Sequence, residues 1–233
     1  MLRVVTVYPD LLGTYGDRGN GLVLWRRALA RGIDVQLEAV SSDTPLPDAD
    51  LYCVGGGEDG PQQLAVERLA RDGGLERNVA SGAVVLAVCA GFQILGRSFP
   101  GPDGRRVEGL GMFGIDTVRG GDTRAVGEVV VEAGGRVGAV TGFENHAGHT
   151  VRDPGIAALG HVAVGIGNGD RTDGALQGRL VGTYLHGPVL ARNPQFADWL
   201  LSMATGDEAL AGIADDPSID LHEERLAAAS RAR

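Results

Sequence analysis

Two kinds of apolar run alternate along the first hundred residues. Leu2-Arg-Val-Val-Thr-Val7, Asp50-Leu-Tyr-Cys-Val54 and Ala83-Val-Val-Leu-Ala-Val88 are short, β-branched and nearly unbroken, a pattern that predicts strands buried on both faces. Ile33-Asp-Val-Gln-Leu-Glu-Ala-Val40 alternates, which predicts a strand with one polar face. Between these runs, residues 20–31 place Leu22, Leu24, Trp25 and Leu29 broadly on one side, and residues 61–72 and 73–82 also predict helices. Alternating strand and helix predicts a parallel sheet flanked by helices, an α/β fold. From 100 to 180 the pattern changes. Glycine is frequent and the predicted strands are short: Ala125–Glu132, Val137–Thr141, Leu159–Val164, Ala175–Gln177 and Leu180–Leu185. They predict an antiparallel or mixed extension of the same sheet. Residues 193–204 predict a helix with Phe196, Trp199 and Leu200 inward, and residues 218–230 a last amphipathic helix. The expected organisation is one domain over 1–205 and a partly helical tail over 206–233, with no repeat and no interdomain linker.

The strand ends carry the candidate chemistry. Ala83–Val88 runs into Cys89-Ala-Gly-Phe-Gln93-Ile-Leu-Gly96, a sharp turn and then a helix. That arrangement lifts the Cys89 side chain out of the sheet at a helix N-terminus, where backbone N–H groups favour a thiolate and later an oxyanion. It is the cysteine counterpart of the strand–elbow–helix that presents serine nucleophiles. A buried, inert cysteine is the plainer alternative for this segment alone. The chain has five histidines, and His186 is the best placed to act as base, at the end of Leu180-Val-Gly-Thr-Tyr-Leu185. A third strand, 50–54, leads into Gly55-Gly56-Gly57, where close backbone approach is allowed. An N–H of Gly56 or Gly57 could join that of Ala90 in an oxyanion hole. A flexible turn is the alternative there.

Strand-Gly-Gly-Gly, strand-Cys-Ala-Gly-Phe-Gln and strand-His, in that order, resemble the class I glutamine amidotransferases. Tyr8-Pro-Asp-Leu-Leu-Gly-Thr-Tyr15-Gly-Asp17-Arg-Gly-Asn20, Gly142-Phe-Glu144-Asn145-His146 and Gly182-Thr-Tyr-Leu-His186-Gly-Pro188 narrow the likeness to the cobyric-acid-synthase-type branch. Within that branch the chain is similar to the glutaminase subunits of lipid II-amidating enzymes, over roughly residues 2 to 200. The resemblance implies that Cys89 and His186 hydrolyse L-glutamine. It also implies that Gln93 meets the substrate's amino-acid end and that Arg124 holds its α-carboxylate, a role suited to a guanidinium. A solvated turn arginine is the alternative for Arg124. The resemblance further implies a Mur-ligase-like synthetase partner that forms a heterodimer with this chain, handles lipid II and binds ATP and Mg. One departure matters. Class I enzymes often carry His-x-Glu, whose acid orients the imidazole, but Pro188 stands here. An unoriented imidazole is a poor base. The acid must come from elsewhere in the chain or, as the resemblance implies, from an aspartate of the partner. Asp17 and Asn20 are expected to cap the first helix. His146-x-x-His149 with Glu144 is weak zinc spacing in an expected structural or partner-contacting loop, and no metal is expected.

Composition narrows the field further. The net charge of −9, with no basic block, argues against nucleic acid as partner. All 21 cationic residues are arginine, so a Schiff-base lysine and a lysine-bearing phosphate loop are both excluded. Any ATP-dependent activation is therefore expected on another chain. Cys53 and Cys89 suit reduced thiols. A chain that starts directly in a strand pattern and lacks a long apolar stretch is expected to be cytoplasmic. The alternatives are a glutaminase serving another acceptor such as a corrinoid, a stand-alone cysteine peptidase or γ-glutamyl hydrolase, and a degenerate binding module.

Overall fold

The computed structural model describes residues 1–121 and 124–231. Its first half delivers the alternation the pattern predicts. The elements are β1 (Leu2–Val7), α1 (Gly19–Leu29), β2 (Val35–Val40), β3 (Leu51–Val54), α2 (Asp59–Asp72), α3 (Gly74–Ala80), β4 (Val84–Val88) and α4 (Ala90–Leu95). The second half holds β5 (Ser98–Pro100), β6 (Arg106–Glu108), β7 (Ile115–Arg119), β8 (Ala125–Gly134), β9 (Gly138–His146), β10 (Gly148–Arg152), β11 (Gly160–Val164), β12 (Thr172–Asp173), β13 (Ala175–Gln177) and β14 (Leu180–Thr183). Three helices close the chain: α5 (Val189–Arg192), α6 (Pro194–Thr205) and α7 (Pro217–Arg231).

The main sheet has six strands in the order β13-β14-β4-β3-β1-β2. All neighbours are parallel except β13, which runs antiparallel to β14. β3 and β4 lie at its centre, and Leu51, Tyr52 and Val84 to Ala87 are wholly buried, as unbroken apolar runs require. Register then places the site. Val54 pairs with Ala87 and Thr183 with Val88. The residues that follow β3, β4 and β14 therefore leave the sheet side by side at its carboxyl edge, where open α/β sheets bind ligands.

The second half departs from the expected extension. Only β13 adds antiparallel pairing to the main sheet. The other strands form two separate four-stranded sheets, β10-β7-β5-β6 and β12-β11-β8-β9. The cause is the long β8–β9 hairpin, paired from Ala125↔His146 to Gly134↔Gly138. β8 gives its other edge to β11, and among the described residues β9 meets the end of β14's strand run through the bridge Phe143↔His186. The tail is tied down by charge. Arg27 on α1 is nearly buried and bonds Asp198 at 2.7 Å and Asp216 at 2.6 Å. The Nδ1 of His222 on α7 donates to the Arg192 carbonyl at 2.9 Å. Among the described residues, no helix is long and apolar enough to cross a membrane.

Candidate active site

Cys89 occupies a strained elbow. Its φ of 50° and ψ of −105° lie outside the regions a non-glycine residue prefers, and α4 begins at the next residue. The elbow is fixed by backbone bonds. Cys89 N–H donates to the Thr183 carbonyl at 2.8 Å, and Gly91 N–H to the Gly55 carbonyl at 3.0 Å. A β-carbon on Gly91 would lie 2.4 Å from the Val54 carbonyl oxygen, so the turn needs glycine to seat α4 against β3. The helix has only six residues, so its help to an anion comes from the open N–H groups of its first turn.

His186 is held behind Cys89. Its Nδ1 donates to Asp17 Oδ2 at 2.7 Å, and both side chains are buried. Gly56 N–H donates to the same Oδ2 at 2.9 Å. The Tyr15 ring covers the imidazole, with centroids 4.8 Å apart. The Nε2 of His186 is buried without a well-aligned hydrogen bond, in interaction range of Cys89. Burial alone lowers the His186 pKa. The charge of nearby Cys89 and the hydrogen bond to Asp17 outweigh that, and it is raised from 6.5 to about 10.

Asp17 thus corrects the helix-cap expectation. No side chain caps α1. Asp17 instead reaches across the strand ends to the imidazole, and Asn20 accepts from Leu190 N–H at 3.0 Å. An acceptor for His186 therefore lies within this chain, although Pro188 stands where an acid is often found. Asp17 is 169 residues from His186, and no spacing pattern could have joined them. Gly56 is also corrected. Its N–H is committed to Asp17, whereas Gly57 and Ala90 both line the cleft with Cys89.

The cleft is lined by Cys89, Gln93, Arg124, Asn145, His146 and Gly148, and also by Glu58, Asp59 and Arg119. Both charge signs therefore face one small space, which suits a zwitterionic amino acid. Arg124 bonds the Asn145 side chain through Nε and the Asn145 carbonyl through Nη2 at 3.2 Å. The polar turn before it, Asp122 and Thr123, lies outside the described residues. Glu144 and His146 belong to β9 and His149 to β10, so the expected loop is the crossing from one small sheet to the other. His146 Nδ1 donates to the Gly148 carbonyl at 2.9 Å, and its Nε2 faces Glu144 at 3.3 Å. Among the described residues no three potential ligands gather into a metal cluster. Cys53 is fully buried, and burial pushes its thiol up to about 12.

An α/β sheet presenting a strained cysteine beside a carboxylate-paired histidine marks the chain as a glutamine amidotransferase of the class I type. It belongs to the CobB/CobQ-like glutamine amidotransferase domain family, which matches residues 3–194. Among its relatives is the Staphylococcus aureus lipid II isoglutaminyl synthase (glutamine-hydrolyzing) subunit GatD, 36% identical over 87% of this chain and 85% of that protein. The Streptococcus pneumoniae GatD subunit is 34% identical over 87% and 80%. Cobyric acid synthase of a Bradyrhizobium species is 32% identical, but the match covers 40% of that longer protein. The fold is shared with a glutamine amidotransferase crystal structure at a TM-score of 0.61 and 21% identity, covering 86% of this chain and 98% of that one.

Proposed function

We propose that this chain releases ammonia from L-glutamine through a Cys89 thioester. The ammonia passes to a Mur-ligase-like synthetase that amidates the α-carboxyl of D-glutamate in the lipid II stem peptide. His186 takes the thiol proton as Cys89 sulfur attacks the side-chain carbonyl. Gly57 and Ala90 N–H groups receive the developing oxyanion. His186 returns the proton to the departing ammonia, and water, activated by the same imidazole, cleaves the thioester to release glutamate. Arg124 takes the α-carboxylate and Gln93 the amino-acid end. ATP and Mg²⁺ act on the partner, in keeping with the absence of lysine from this chain.

One observation carries the hydrolytic half of this reading. Asp17 fixes His186 at 2.7 Å through Nδ1, which leaves Nε2 for Cys89. The two GatD relatives, matched over most of their length, support the choice of acceptor. The test uses Cys89→Ala in a complex with the synthetase. Glutamine-driven amidation is expected to fall by several orders of magnitude, while free ammonium still supports synthesis. Normal use of glutamine by that variant would reject the assignment.

A further inference from the structure

From the cleft wall inward runs a polar chain of which the proposed chemistry uses only Gln93. Gln62 Nε2 on α2 donates to Gln93 Oε1 on α4 at 2.9 Å. Gln93 Nε2 donates to Tyr184 Oη at 3.3 Å, and Tyr184 Oη shares a 2.8 Å hydrogen bond with Thr150 Oγ1. Tyr184 and Thr150 are buried behind the cleft, whereas Gln62, itself largely buried, and the partly open Gln93 line it with Cys89. Two side chains therefore hold the Gln93 amide, one at each polar end, and Thr150 holds the tyrosine in turn. We propose that Gln62 and Tyr184 are positioning residues: they fix the Gln93 amide against Cys89 and so set the affinity for glutamine.

The Tyr184 ring is itself immobilised. His146 stacks on it at 3.8 Å and 17°, and Phe92 packs edge-on at 5.5 Å. Both nitrogens of His146 face acceptors, and Glu144 is anchored in turn by Ile166 and Gly167 N–H at 2.7 and 2.8 Å. His146 thus has no ring nitrogen to spare for proton transfer, and it serves as a wall for Tyr184. Gly148 completes the fit, since a β-carbon there would come within 2.9 Å of Gln93 Nε2. A free glutamine side chain rotates about three bonds; here both polar ends of the amide are held, so little ordering cost is left for the substrate to meet. Tyr184 is also two residues before His186, so one strand end holds both the amide that meets substrate and the proposed base.

This inference rests on the proposed glutaminase function, and its test separates the two. Tyr184→Phe keeps the ring and deletes one hydroxyl; Gln62→Leu removes the other anchor without touching the tyrosine. Full-length variants are compared for glutamine KM and kcat, thermal midpoint, and alkylation of Cys89 by iodoacetamide. Each variant is expected to raise KM about tenfold, the consequence of losing one buried hydrogen bond, with kcat within a few-fold, a midpoint lowered by no more than several degrees and unchanged alkylation. Unchanged KM in both variants overturns the proposal. So does a matched loss of kcat, alkylation and thermal midpoint, which marks a packing role only. A wild-type chain that alkylates yet releases no ammonia from glutamine, alone or with the synthetase, overturns the proposed function instead.

Discussion

At the scale of single residues, the site is defined by side chains whose neighbours alter their chemistry. His186 has its pKa raised to about 10 against the lowering effect of its own burial, chiefly because it faces Cys89 and secondarily because it bonds Asp17. A group raised in the folded state contributes stability that is complete below its unfolded value of 6.5 and is lost as pH climbs through about 10. Removing the Cys89 sulfur should lower the His186 midpoint and flatten the fall of stability across that window. NMR titration of the ring in Cys89→Ala checks it, and an unmoved midpoint would show that the two groups do not interact. Arg124 makes a different prediction. It is exposed and, among the described residues, its hydrogen bonds go to Asn145, so Arg124→Ala should leave folding nearly unchanged. Loss of a charged hydrogen bond to the α-carboxylate should weaken glutamine binding by about 1.5–3 kcal/mol. Free ammonium should bypass the defect. An unchanged glutamine KM with normal kcat would return Arg124 to the solvated surface. Cys89 and His186 were legible in the sequence because each ends a buried strand. Asp17 was not, because an aspartate just before a helix reads as a cap, and only the closed fold brings it to the imidazole.

At the scale of elements, what the sequence revealed follows hydrophobic density. β1, β3 and β4 are apolar on both faces, and the boundaries of their predicted runs match the structure to within a residue or two. β5, β6, β7 and β10 went unseen because they are three to five residues long and carry exposed or polar positions such as Arg106, Glu108 and Arg119. Their pairing comes from tertiary contact, which no window of sequence contains. The expected extension of one sheet failed for a related reason: periodicity identifies strands but not which edges they share. The elbow between β4 and α4 is the element on which the chemistry depends most, and Gly91 is its weakest point to substitution. A β-carbon there meets two backbone carbonyls, at 2.4 Å from Val54 and 2.9 Å from Gly55. Backbone cannot swing aside as a side chain does, so Gly91→Ala should cost about 1–3 kcal/mol by overpacking. It should also displace Cys89. Denaturant unfolding with iodoacetamide labelling reads both effects, and a variant with wild-type stability and labelling would show that the turn relaxes freely.

At the scale of the whole molecule, the question is what a partner must supply. With no acid after His186, the sequence left its source open between another part of this chain and an aspartate of the partner. The fold offers an acid within this chain: the 3₁₀ turn at Thr14–Gly16 carries Asp17 under the imidazole, and Gly56 N–H helps hold it there. Asp17, Gly56 and His186 thus meet beyond the carboxyl ends of β1, β3 and β14 of one sheet. On the proposed function, the synthetase serves to bind and activate the acceptor rather than to orient His186. The expected outcome is that the isolated chain releases ammonia from glutamine, and that adding the synthetase changes the fate of the ammonia more than its rate of formation. Asp17→Asn keeps the side chain's size but removes its charge, and should lower kcat by up to about 10⁴-fold, the loss seen when a triad acid is made an amide. Ammonia release is measured for wild type and Asp17→Asn, each with and without the synthetase. A thousand-fold rise for wild type on adding the partner, with Asp17→Asn behaving the same way, would place the orienting acid on the other chain and leave Asp17 as a strut beneath the Gly56 turn.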